Sequence, residues 1–85
     1  MQKVTEVQLK KVFKKLFSES FKGKFINLKL GDIEKWDSLG NFNLLLLIEK
    51  EFNFRFSNEE ISELKSIKEI LYTLQNGKIQ KLPRN

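Results

Sequence analysis

Five consecutive apolar residues, Leu44 to Ile48, sit inside a largely apolar stretch running from Asn41 to Phe54. Nothing else in the chain restricts the fold as strongly. Wound as a helix from Ser38 at about 100° per residue, the stretch places Leu39, Phe42, Leu44, Leu45, Leu46, Ile48 and Phe52 on one broad arc. Gly40, Asn43, Lys50 and Glu51 fill the remaining stripe, with Leu47 in its middle. A helix this apolar must be mostly buried, so it is the expected centre of the domain. Leu47 is then either an incidental surface leucine or part of a docking face. The apolar run is far shorter than the ~20 residues needed to cross a bilayer.

Length and composition narrow the chemistry. A chain of 85 residues has room for one small domain, which buries only roughly 60% of the surface that its unfolded form exposes. A large enclosed catalytic pocket is therefore not expected. There is no cysteine, which removes disulfides, thiolate metal sites and thiol nucleophiles and fits a reducing compartment. There is no histidine, so the commonest general base is missing and a metal would need carboxylates alone. No metal site and no enzymatic activity are expected. The opening residues alternate polar and apolar, with lysines among them, unlike a signal peptide. A cytoplasmic, monomeric protein is the expectation.

The formal charge is +5, unevenly spread. Residues 1–31 hold eight Lys and two Glu, whereas residues 32–74 hold five Lys or Arg and nine Asp or Glu. Residues 75–85 add three basic groups. The middle of the chain is thus acidic although the whole is basic.

Taken in order, Thr5 and Gln8 have the spacing of a capping box and open a first helix. Leu9, Val12, Phe13, Leu16 and Phe17 recur at helical intervals, with Lys10, Lys11, Lys14 and Lys15 opposite. Residues 18–36 have no helical period and are punctuated by Gly23 and Gly31. Ile26, Leu28 and Leu30 alternate as in a strand, but no partner strand exists, so an ordered loop pinned by those side chains is expected. After the central helix, residues 53–56 are expected to be extended. Ser57 to Glu60 and Ser66 to Glu69 are two further capping boxes. The first opens a short helix bearing Ile61 and Leu64. The second opens a helix with Ile67, Ile70, Leu71 and Leu74 on one face, stopped at Asn76-Gly77. The prediction is an all-α fold, a small four-helix bundle with three main helices, one short one and a long first loop. The domain is expected over residues 1–77, followed by a basic tail, 78–85.

Ser38 stands at the start of the central helix with no base at a catalytic spacing, so it is not an enzyme's nucleophile. It is better suited to be a substrate. A hydroxyl at a helix start is exposed, and a phosphodiester attached there sits in the favourable field of the helix N-terminus. The plainer alternative is that Ser38 is simply the helix cap.

The run Asp37-Ser38-Leu39-Gly40 leading into a leucine-rich helix that closes on Glu49-Lys50-Glu51-Phe52 resembles the acyl carrier protein family. The likeness covers roughly residues 4–75, through the same order of helix, long loop, serine-led helix, short helix and last helix. It implies that Ser38 carries a 4′-phosphopantetheine arm, added from coenzyme A by a phosphopantetheinyl transferase. The arm's thiol would hold an acyl or aminoacyl thioester and present it to a loading ligase and to acceptor enzymes. By the same resemblance Asp37 helps orient the metal-dependent transfer. The resemblance further places the partner-docking face on Leu39, Phe42 and Leu46 with the outward residues Gly40, Asn43, Leu47 and Lys50. Leu44, Leu45 and Ile48 would line the space for an acyl chain. The chain departs from the family in being basic and in having few acidic residues on that stripe. This weakens docking to enzymes that read carriers through a basic patch. The glycine after the serine motif looks like D-alanyl carriers and single-pathway carriers, which makes a specialised carrier the leading expectation. The competing reading is a basic helical nucleic-acid-binding module using the lysine face and tail. The acidic middle segment argues against it, and nucleic acid is not the expected partner. A third reading keeps the carrier fold as a scaffold without an arm.

Overall fold

The computed structural model describes residues 4–18 and 20–76, and the predicted basic tail lies outside them. Within this span four α-helices follow one another: α1, Glu6–Leu16; α2, Ser38–Phe52; α3, Asn58–Glu63; and α4, Ile67–Asn76. No strand is present among the described residues, so the fold is an all-α small bundle with one long connection, between α1 and α2.

The caps set the helix starts. Thr5 accepts from the Gln8 N–H at 3.2 Å while the Gln8 side chain accepts from the Thr5 N–H at 2.9 Å. Ser57 and Glu60 repeat the exchange at 3.0 and 2.8 Å. Each pair satisfies two backbone donors that the helix itself leaves unpaired. The third box forms only in part. Ser66 accepts from the Glu69 N–H, but the Glu69 carboxylate turns to the Lys65 N–H, one residue before the expected partner. The Ser66 backbone lies in an antiparallel bridge to Lys29, which orients that segment toward the loop instead.

α1 buries Leu9, Val12 and Phe13 and keeps Lys10, Lys11, Lys14 and Lys15 exposed. Phe17, just past its end, is buried as well. Phe13 is the hub of an aromatic cluster, with ring centroids 5.0 Å from Phe17, 5.3 Å from Phe25 and 5.2 Å from Trp36, all edge-on. Edge-to-face pairs of this kind add about 0.5–1.5 kcal/mol each beyond their buried area. Val4 and Gln75 tie the beginning of the described chain to α4 through a 3.0 Å hydrogen bond.

The long loop is ordered by its own side chains. Phe25 begins a single 3-10 turn, Phe25–Asn27, and is buried. Leu28 is buried, while Ile26 and Leu30 are half-buried against the core, as expected of a pinned loop. The Leu30 N–H donates to Lys65 O, and the Ile67 N–H donates to Leu28 O, which ties the loop to the start of α4. Gly31 then adopts φ 98°, and its N–H donates to Trp36 O at 2.9 Å. That left-handed geometry costs glycine little and most other residues more. It reverses the chain so that Ile33 and Trp36 point inward, Trp36 with no exposed surface at all.

α2 ends at Asn53 in the left-handed region (φ 53°), not in the extended conformation expected of residues 53–56. Asparagine tolerates this conformation, and it lets the Phe54 N–H reach back at 3.0 Å to Glu49 O, the same carbonyl that accepts from the Asn53 N–H.

Candidate functional site

The site is assembled where the long loop delivers the chain into α2. Trp36 fixes the entry. Its indole N–H donates to Asn41 Oδ1 at 3.0 Å, and Asn41 Nδ2 donates in turn to Leu64 O at 2.8 Å. Both residues are buried. One polar side chain thereby joins the loop end, the first turns of α2 and the end of α3. A buried polar pair left without partners would cost several kcal/mol, so the network holds the register of this turn tightly.

The helix cap is Asp37, not Ser38. Asp37 has extended backbone angles, and its Oδ1 accepts from the Gly40 N–H at 2.8 Å. Its backbone oxygen accepts from the Asn41 N–H at 2.7 Å. This corrects the plain alternative for Ser38. The capping duty is already filled, and Ser38 is the first residue inside the helix. Ser38 is exposed, and its hydroxyl has no hydrogen-bond partner among the described residues. The unpaired N–H groups of the first turn lie beside it.

Gly40 does not lie on the outward stripe. It is buried, and a Cβ built there would collide with the backbone oxygen of Lys35 and stand 3.3 Å from Asp37 Oδ1. The glycine lets the loop end cross α2 closely enough for Asp37 to cap it. Its part in the site is this close approach, and it offers a partner little exposed surface. Leu47 is also withdrawn, half-buried against the core. The face that does look outward is Leu39, Phe42 and Leu46, at 67%, 44% and 41% exposure, with Asn43 and Lys50 also exposed. Helical periodicity had counted those three apolar residues with the buried arc. The neighbours of α2 instead cover Leu44, Leu45 and Ile48 completely.

The acidic residues near the end of α2 are occupied. Glu49 Oε2 accepts from the Phe56 N–H at 2.7 Å, and Glu51 pairs with Lys15 at 3.0 Å. The second contact joins α2 to α1 across a solvated surface, where such pairs contribute at most about 1 kcal/mol. Another α1 lysine, Lys10, stands 5.8 Å above the Phe21 ring. Next to Ser38 an open groove of about 320 Å³ is lined by Leu16, Phe17, Lys35, Asp37, Leu39, Gly40 and Asn43. Leu44, Leu45 and Ile48, expected to line a space for an acyl chain, do not line this groove. They have no exposed surface in this conformation.

Sequence reasoning missed Asn41 and left Trp36 without a role. The signal was a single asparagine facing inward on an otherwise apolar helix, within one and a half turns of the only tryptophan. No helix among the described residues is long and apolar enough to cross a membrane. No family model matches the chain, and no curated protein or solved structure matches it.

Proposed function

We propose that this chain is a carrier domain of the acyl carrier type, bearing a 4′-phosphopantetheine arm on Ser38. One observation carries the reading. In the order Asp37-Ser38-Leu39 the aspartate does the capping, so the serine hydroxyl is left exposed and unengaged at the first residue of the central helix. In the transfer, the Ser38 oxygen bonds to the coenzyme A phosphorus nearer the pantetheine. The pyrophosphate P–O bond breaks, adenosine bisphosphate leaves, and the serine proton passes to a base on the transferase. The chain's own part is to hold the oxygen outward and to place the new phosphodiester at a helix N-terminus, where negative charge is stabilised by about 0.3–1 kcal/mol. Asp37, exposed and with Oδ2 free of hydrogen bonds among the described residues, retains an oxygen for the metal ion of that transfer.

Leu39, Phe42 and Leu46, with Asn43 and Lys50, form the docking face for the transferase, the loading ligase and the acceptor enzymes. With Glu49 and Glu51 engaged within the chain, this face is apolar with a basic edge. It suits partners dedicated to this carrier better than partners that read a strongly acidic helix. The cargo is an acyl or aminoacyl thioester of a specialised pathway. Incubation with coenzyme A and a broad-specificity phosphopantetheinyl transferase is expected to add the mass of one phosphopantetheinyl group, and Ser38→Ala to abolish the gain. An unchanged mass in the native chain would overturn the reading and leave the armless scaffold in its place.

The exposed lysines of α1 favour a second reading, nucleic-acid binding. It predicts affinity for a mixed-sequence duplex that falls steeply with added salt. No binding at low salt removes it.

A further inference from the structure

We infer that the groove between the end of α1 and the start of α2 is the resting seat of the arm, with Lys35 as the residue that positions its phosphodiester. The inference rests on Ser38 being the attachment point. The lining residues supply the kinds of chemistry that the arm would need. Lys35 offers a cation, and Asp37 and Leu39 flank the attachment residue in the chain. Asn43 brings a side-chain amide able to donate to and accept from the arm's own amides. Leu16, Phe17 and Leu39 provide apolar surface for its methyl and methylene groups.

Two charged residues line the groove. The Asp37 carboxylate opposes a phosphodiester, but its Oδ1 is committed to the Gly40 N–H at 2.8 Å. Lys35 is exposed and makes no ion pair among the described residues, so its ammonium group is available to the phosphate. The helix N-terminus adds to the same attraction.

The alternative seat is the bundle interior behind Leu44, Leu45 and Ile48. Those side chains are fully buried, so an arm entering there must first separate packed groups and forfeit their dispersion contacts. The groove is already open and requires no repacking. The unloaded arm therefore lies against the end of α1, on the outside of the bundle.

The test compares amide NMR spectra of the ¹⁵N-labelled chain before and after conversion with coenzyme A and a phosphopantetheinyl transferase. Shift changes are expected at Leu16, Phe17, Lys35 and Asn43 as well as beside Ser38. Holo protein carrying Lys35→Glu should show those at Leu16 and Phe17 reduced at least twofold, with Lys35→Gln intermediate. Changes confined to residues 37–39, or extending into α3 and α4 instead, would overturn the seat while leaving Ser38 as the attachment point. Equal changes in the native and Lys35→Glu proteins would remove Lys35 from the proposal. Failure of the native chain to gain mass would overturn the attachment point and the seat together.

Discussion

The two faces of α2 meet different surroundings. On one, Leu44, Leu45 and Ile48 are sealed in the core, and Asn41 ties the helix to Trp36 and Leu64. On the other, Leu39, Phe42 and Leu46 stand exposed. Both faces are built from the same residue types. They differ in what the long loop does. By delivering Trp36 into the aromatic cluster, it fixes which side of α2 turns inward, and Ser38 is carried to the outward edge as a result. One face thus belongs to the core, and the other is left exposed.

The largest effect should come from breaking the inward face at its anchor. Trp36→Ala removes a fully buried member of the aromatic cluster and is expected to cost about 3–5 kcal/mol, read by denaturant unfolding. Asn41→Leu should follow. It leaves the indole N–H and the Leu64 carbonyl buried without partners, at about 1–3 kcal/mol each. Combining it with Trp36→Phe, which removes the donor, should recover part of that loss in the same measurement. An additive double variant would contradict the network.

Gly40→Ala sharpens the comparison at the boundary between the faces. An alanine in a helix interior is favoured over glycine by about 1 kcal/mol, but here the methyl group meets the Lys35 carbonyl oxygen. Overpacking against backbone costs typically 1–3 kcal/mol, about enough to reverse the sign. A lowered unfolding midpoint is expected, and a raised one would show that the loop end yields. The smallest stability change belongs to the outward face. Leu39→Ala should alter stability by no more than about 0.5 kcal/mol yet lower the transferase kcat/KM several-fold. A matching loss of stability would place Leu39 in the core instead.

Much of this was legible beforehand, for reasons that differ along the chain. The caps at Thr5 and Ser57 depend on side chains three residues apart, so local spacing revealed them. α1 is apolar on one side and lysine-rich on the other, and its orientation followed. α2 is apolar round most of its circumference, and periodicity alone could not say which leucines its neighbours cover. The answer depended on where the loop crosses, a contact between Gly40 and Lys35 that no helical wheel contains. The same distance from local pattern hid the cap. Asp37 and Ser38 are both favoured at that position, and only the backbone path shows that the aspartate takes it.

The central claim is that Ser38 bears the arm, and trypsin offers a direct way to examine it. Cleavage after Lys35 and Lys50 gives a peptide from Trp36 to Lys50 in which Ser38 is the only hydroxyl-bearing residue. After treatment with coenzyme A and a transferase, fragmentation mass spectrometry of this peptide should find one phosphopantetheinyl group on it. An unmodified peptide, or the group on another serine or threonine of the chain, would contradict the claim.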